Sequence, residues 1–241
     1  MKSGRKIVYV IAAAAAAAAI ALIIRFAPSG SVDTPAVILP TQPAATETPP
    51  QETAGADDAI EVTPATVQTA VGLLTRADSY SRTLTVERLW NGGSETREIS
   101  VWARGGSVRI AESAEHGGRS VLISGGEMWI WYAGEDGIFH AAADDNAADE
   151  YQELDSYEQL LSLDKKQIID AGYDEYADEY CIFAEYVSGS FGYTTRVWIS
   201  VSTGLLMRGE TWDGETLIHS VSSSAPDITT PVESVFKLPE S

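Results

Sequence analysis

Cysteine, histidine and basic residues are all scarce in this chain of 241 residues. The single cysteine, Cys181, excludes an internal disulfide, and no cysteine stands directly after the N-terminal apolar run to carry a lipid. The three histidines lie far apart and lack metal-ligand spacing. Gly-x-Ser-x-Gly, His-Glu-x-x-His and phosphate-binding glycine motifs are absent as well. We therefore expect no metal, no cofactor and no enzymatic activity.

The shortage of basic residues gives the chain a strong negative charge. It has 16 Lys and Arg against 35 Asp and Glu, a net charge of −19. Such a surface excludes nucleic acid as a partner. Many acids cluster in 144–150 and 174–179 without an EF-hand pattern, so a solvated acidic face is expected there.

The N-terminus has the composition of a membrane anchor. Residues 1–6 are a basic stub, and residues 7–24 are apolar without a charge, which as a helix spans roughly 27 Å. We predict a single-pass signal anchor with the N-terminus cytoplasmic and the rest extracytoplasmic at the cell membrane. A cleaved signal peptide is the alternative, and it would make the protein secreted.

Residues 25–58 have a different composition, rich in Pro and Thr with few large apolar side chains. Such a segment cannot bury enough apolar surface to offset its ordering entropy. It is predicted to be a disordered stalk between the anchor and a domain at residues 59–241.

Residues 59–241 predict one α+β, mostly β domain. Thr63-Pro64 is typical of a helix start, and apolar residues continue at helical spacing to Ala77. From Tyr80, short alternating segments end at glycine-rich turns, as in an antiparallel meander. Residues 142–172 interrupt this meander with a capping-box pattern at 155–158 and a short helix start at Asp164. With few helices to cover it, the sheet should curl into an open barrel.

Three stretches of this domain share short patterns with a known superfamily. They are Gly126–Tyr132, with its aromatic strand; Val197–Leu206, with a Thr-Gly-Leu turn; and Val235–Pro239, which ends Phe-Lys-Leu-Pro. With the order of helix and strands, they make residues 60–240 resemble the LolA/LolB/RseB superfamily of lipoprotein carriers and regulators. The resemblance implies an unclosed β-barrel of about 11 strands around helices, with a cavity for acyl chains.

The functional expectation combines this resemblance with the anchor. A tethered chain cannot ferry cargo far, so we expect an extracytoplasmic module that binds a lipid, an acyl chain or a lipidated protein. The alternative is a tethered envelope sensor or regulator that docks a partner protein without lipid transfer. The carriers' functional arginine is not assigned, because Arg97, Arg104 and Arg109 could each be its counterpart.

The candidate ligand-contacting residues are large side chains in predicted strands. They are Trp102, Met128, Trp129, Ile130, Trp131 and Trp198. Rigid aromatic and apolar surfaces of this kind line ligand cavities. Trp129 and Trp131 share one face of their strand, and Met128 and Ile130 share the other. The alternation leaves open which pair faces the interior.

Overall fold

The computed structural model describes residues 60–113, 115, 117–154, 157–189 and 191–239. The predicted basic stub, anchor and stalk lie outside these residues, so membrane attachment remains a prediction. Among the described residues, no helix is both long and apolar enough to cross a membrane.

One antiparallel sheet of eleven strands dominates the described part of the chain. The strands are β1 (Ser79–Trp90), β2 (Gly93–Arg104), β3 (Ser107–Glu112), β4 (Arg119–Ser124), β5 (Glu127–Tyr132), β6 (Phe139–Ala142), β7 (Ile168–Tyr176), β8 (Glu179–Ser188), β9 (Tyr193–Ser200), β10 (Leu206–Asp213) and β11 (Thr216–Ser223). The helices are α1 (Val67–Gly72), α2 (Ala147–Tyr151) and α3 (Tyr157–Ser162), and 3-10 turns occur at Lys165–Gln167 and Glu233–Phe236.

The strand order shows that the barrel is not closed. The sheet runs β6-β5-β4-β3-β2-β1-β11-β10-β9-β8-β7, so it consists of two meanders joined where β1 pairs with β11. Strands β6 and β7 follow each other in the chain but form the two opposite edges. The segment between them carries α2 and α3. The predicted class, a mostly β open barrel with few helices, is confirmed.

Alternation along the strands gives the sheet an inner face that contacts the helices. Leu84 and Val86 of β1 are buried there, and Leu84 lies opposite Ile99 of β2. Helix α1 packs its buried Val67 and Val71 into a cluster with residues of β8, β9 and β10. A second cluster joins residues of β1 to β5 and of β8, β10 and β11 to Ala147 of α2. The core therefore lies between the inner face and the short helices.

The Thr-Gly-Leu turn before β10 supports the passage from α1 into β1. The Ala77 N–H donates to the Thr203 carbonyl at 2.8 Å. Gly204 has a φ of +63°, and a Cβ at this position would lie 2.5 Å from the Thr75 carbonyl oxygen. Because backbone atoms cannot move aside cheaply, only glycine fits this crossing.

The predicted helix start was placed too early. Helix α1 begins at Val67 with Thr66 as its N-cap, and it ends at Gly72 rather than at Ala77. The Thr63 and Thr66 side-chain hydroxyls lie 3.0 Å apart, and the Thr63 N–H donates to the Thr66 hydroxyl. This local bonding forms a turn ahead of the helix, which propensity alone does not reveal.

Two elements of residues 142–172 differ from prediction or lie outside the described residues. The short helix at Asp164 is a 3-10 turn with the complete capping box of Asp164 and Gln167. The capping-box pattern at 155–158 includes residues outside the described part. Edge strand β7 was missed, because it begins at Ile168, within the stretch interpreted as an interruption, and β6 ends at Ala142, the first residue of that stretch.

Candidate functional site: the inner face and its plug

The inner face of β1 to β5 is an apolar surface covered by a short segment. Its buried residues are Leu84, Val86, Ile99, Val101, Ile110, Val121, Ile123 and Met128. Residues 147–154, which we call the plug, pack Ala147, Tyr151 and Leu154 into the same cluster. The plug contains only helix α2, of five residues. A helix this short has little stability of its own, so its contacts with the sheet must hold it in place.

The first polar contact of the plug is an ion pair at the start of β1. Both guanidinium nitrogens of Arg76 donate to the Asp149 carboxylate, at 2.9 and 3.0 Å. Asp149 is buried, unlike the solvated acidic face expected for residues 144–150. This paired geometry is strong for a charge-assisted hydrogen bond.

The second contact lies in the middle of the inner face. Arg82 is only 6% exposed and has the same orientation as Leu84 and Val86. Its Nη2 donates to Gln152 Oε1 of the plug, and its Nη1 donates to the Leu206 carbonyl oxygen, both at 2.7 Å. One buried cation thus joins the plug, β1 and β10.

The third contact is a charged cluster around Glu153 of the plug. Its carboxylate accepts from Arg88 at 2.7 Å and from Arg97, and His219 Nε2 lies 3.6 Å away. Glu153 has a φ of +57°, a conformation that costs a non-glycine residue about 1–2 kcal/mol. The strained conformation persists because Arg88 and Arg97 together hold the carboxylate in this position.

These neighbours set the ionisation of Glu153. Burial alone would raise its pKa, but His219, whose Nε2 lies 3.6 Å away, and the charges of Arg97 and Arg88 outweigh burial and lower the pKa to about 2. The carboxylate therefore remains ionised at every physiological pH. It is a permanent negative end of the plug.

Acid is expected to weaken the protein through this group. Because the folded-state pKa lies below the ordinary 4.5, the contribution is present above pH 4.5 and is lost as the pH falls towards about 2. We expect wild type to exceed Glu153→Gln in free energy of unfolding by no more than about 2 kcal/mol at pH 6. Denaturant titrations should show this difference shrinking below pH 4.5. The exposed Glu150→Gln is the control, and an equal pH dependence in both variants would contradict the assignment.

The candidate ligand-contacting residues divide between the two faces of the sheet. Met128 and Ile130 point inwards with the core, opposite Ile123 and Val121 of β4. Trp129 and Trp131 alternate with them and therefore lie on the outer face, as does Trp102, which lies opposite Arg109. Trp198 has the opposite orientation to the buried Val197 and Ile199, and its indole N–H donates to Asp174 at 2.8 Å. The structure thus places Met128 and Ile130 on the inner face, and the half-buried Trp198 also packs against a residue of the same cluster.

The C-terminal segment crosses the outer face near these tryptophans. It begins beside β1, where Asp227 pairs with Ser81, and its 3-10 turn packs on β3. Its Pro239 contributes to a cavity that Trp131 also lines. The Phe-Lys-Leu-Pro ending predicted from the sequence therefore belongs to this outer layer.

The three arginines left unassigned by the resemblance have different surroundings. Arg97 lies on the inner face and contacts the plug through Glu153. Arg104 donates to the Pro231 carbonyl at 3.3 Å. Arg109 stacks on Trp131 of the outer face at 4.1 Å, and burial lowers its pKa. Of the three, only Arg97 touches the plug.

The remaining reactive side chains form no site within the described residues. His140 stacks on Trp129 and pairs with Glu127, and no metal-ligating cluster is found there. His116 lies outside the described part. Burial, followed by the charge of Glu179, raises the pKa of Cys181 to about 12, so its thiol stays protonated.

Sequence reasoning missed the polar contacts of the plug, although a signal was present. Arg82 and Arg88 alternate onto the same face of β1 as Leu84 and Val86, so the sequence pattern places two cations on the buried face. A buried cation requires a partner. Partners come from the interrupting segment, which offers Gln152 and Glu153.

Comparisons with known proteins bear on the fold alone. No protein-family model and no curated protein matches the sequence. The solved structures that match include an uncharacterized conserved protein from Thermus thermophilus, at 12% identity and a TM-score of 0.50, covering 73% of this chain and 95% of that one. A LolA superfamily protein from Nitrosomonas europaea matches at 9% identity and 0.37, covering 72% and 96%.

MucB in complex with MucA(peri) also matches, at 17% identity and a TM-score of 0.42, covering 73% of this chain and 60% of that one. The expected architecture, an unclosed antiparallel sheet of eleven strands with few helices, is confirmed by the strand order. At these identities the likeness carries no conclusion about a ligand.

Proposed function

We propose that this protein is a membrane-tethered, extracytoplasmic binding module that takes a lipid acyl chain, free or attached to a protein, against its inner face. The anchor is residues 7–24, and the ligand replaces the plug. The observation that carries the proposal is that, among the residues that the structure describes, short segments cover the inner face rather than a second sheet or long helices.

The energetics of the plug support such a replacement. The plug contacts the rest of the domain through the ion-paired Asp149 and Glu153, the buried hydrogen bond of Gln152 and a few apolar side chains. Each apolar methylene that an acyl chain buries contributes about 0.8 kcal/mol. A long chain can therefore compensate for the contacts that are lost when the plug leaves the face.

Photochemical labelling in cells tests the proposal on the full chain. Cells that express the protein are fed a diazirine fatty acid, irradiated, and the purified protein is digested for mass spectrometry. We expect fragmentation spectra to place adducts on inner-face residues such as Ile99 and Met128, and few on outer-face residues such as Trp102. Adducts that follow surface exposure instead would reject acyl binding at the inner face.

Loosening the plug should increase labelling. Gln152→Ala removes the acceptor of Arg82, so opening the plug becomes easier by about 1 kcal/mol. Inner-face adducts should rise about fivefold. Glu150→Ala, at an exposed position of the same helix, should leave labelling unchanged. Equal labelling of both variants and wild type would show that the plug does not control access.

A further inference from the structure

The two edges of the sheet are protected very differently. At one edge, β7 is an acidic strand, and two of its N–H groups bond to its own side chains. Ala171 donates to Asp170 at 2.9 Å, and Glu175 donates to Asp174 at 2.8 Å. Charged residues and occupied amides prevent a further strand from pairing there. This edge is closed to pairing.

At the other edge, β6 lacks both forms of protection. It contains no Asp, Glu, Lys or Arg, and within the described residues β5 is its only strand neighbour. Phe139 of β6 is 60% exposed. A free, uncharged edge with an exposed aromatic side chain is a template for one more strand.

The register shows which backbone groups of this edge face outwards. The Ala143 N–H donates to the Gly126 carbonyl at 2.9 Å, on the β5 side. Because hydrogen-bonding direction alternates along a strand, His140 and Ala142 direct their N–H and C=O groups away from β5. An incoming strand would pair with these two residues.

Charge and shape around the edge indicate what the incoming strand contains. Glu135 and Asp136 precede β6, and Asp144 and Asp145 follow it, so acids stand at both ends of the uncharged strand. A cavity of about 450 Å³ at the end of β5 and in the loop that leads into β6 is lined by Trp131, Ile138 and Pro239 together with Glu135 and Asp136. An aliphatic stem ending in a cation fits an aromatic wall beside carboxylates.

We propose that the edge of β6 binds an extended, basic segment of a partner protein as a twelfth strand, with one Lys or Arg side chain in the Trp131–Pro239 cavity. A second copy of this chain is disfavoured as the partner, because both copies would present the same acids. The proposal does not depend on acyl binding, since β6 pairs at the edge and the plug lies on the inner face.

Peptide binding to the full chain in detergent micelles tests this inference. The probe is a fluorescent nine-residue peptide of alternating Val and Lys, compared with the same peptide carrying Glu for Lys. A third peptide keeps the lysines but has Pro for Val, so it is equally basic and cannot form a strand. We expect the Val-Lys peptide to bind at least about tenfold more tightly than either control.

Two sets of variants test whether the peptide binds at the edge of β6. Ala142→Pro removes an N–H that points away from β5, so the pairing of β6 with β5 is kept. Peptide affinity should fall about tenfold in this variant, whereas Ala142→Ser should retain the wild-type affinity. The double variant Glu135→Gln, Asp136→Asn leaves strand β6 unchanged but removes the carboxylates that pair with the peptide's lysine. It should weaken peptide binding about fivefold.

Hydrogen exchange distinguishes the outcomes. Addition of the Val-Lys peptide should slow exchange of the His140 and Ala142 amides. Equal binding of the three peptides, or protection elsewhere than β6, would overturn the proposal. Protection of β6 that rises with protein concentration in the absence of peptide would instead identify a second copy as the occupant and would also overturn it.

Discussion

Replacing Gly204 by alanine is expected to lower the free energy of unfolding by about 3–5 kcal/mol. The new Cβ would lie 2.5 Å from the Thr75 carbonyl oxygen and 2.9 Å from the Arg76 Cα. Both are backbone atoms, and the positive φ of +63° adds strain for any L side chain. Relief would require moving the segment between α1 and β1, including the Ala77 hydrogen bond to Thr203. Urea unfolding followed by tryptophan fluorescence measures the loss.

Gly214→Ala is the matched control for this prediction. Gly214 also has a positive φ, +59°, but a Cβ there would meet nothing within 4 Å. It should cost only the conformational strain, about 1 kcal/mol. Equal losses for the two variants would mean that the close approach at Gly204 contributes nothing beyond its backbone conformation.

Replacing Arg82 by alanine is expected to lower the free energy of unfolding by about 3–5 kcal/mol, the sum of two unsatisfied buried acceptors and a cavity. The substitution leaves Gln152 Oε1 and the Leu206 carbonyl without the donors that lie 2.7 Å away, inside a region that excludes water. It also opens a void between the plug and the sheet. Arg82 should therefore be one of the most sensitive polar positions of the inner face, and denaturant unfolding measures the effect.

Arg88→Ala provides the comparison for Arg82. Arg88 also contacts the plug, through Glu153, but its side chain is half exposed, at 50%. Exposed ion pairs contribute about 0–1 kcal/mol, so the loss should be small. A loss at Arg82 no larger than at Arg88 would show that the buried hydrogen bonds of Arg82 stabilise the plug no more than an exposed ion pair does.

The meander could be predicted because its signals are local. Glycine-rich turns and alternating apolar residues mark β1 to β5 and β8 to β11, and each strand pairs with its neighbour in the chain. The edge strands carry weaker signals. Strand β6 has four residues, and β7 is rich in acids, since an edge faces water with one side of its backbone. Their pairing depends on neighbours that composition does not reveal.

The candidate site was predictable in part. Alternation separated Met128 and Ile130 from Trp129 and Trp131, but which set faces the helices depends on the direction in which the sheet curls. The plug's partners come from distant parts of the chain, such as Arg82 and Gln152, and no local pattern encodes their contact. An arginine that the alternation places on the buried face of a strand indicates only that some hydrogen-bond acceptor must lie near it.

The pairing of β1 with β11 has a consequence for how the chain is made. Leu84 of β1 lies opposite Ser223, close to the end of the last strand. A ribosome releases β2 soon after β1, but it supplies β11 only when nearly the whole domain has been translated. Throughout that interval β1 has one side of its backbone unpaired, beside a nascent first meander that is otherwise complete. Until β11 is available, β1 is therefore an additional exposed strand edge, which disappears only when β11 joins the two meanders.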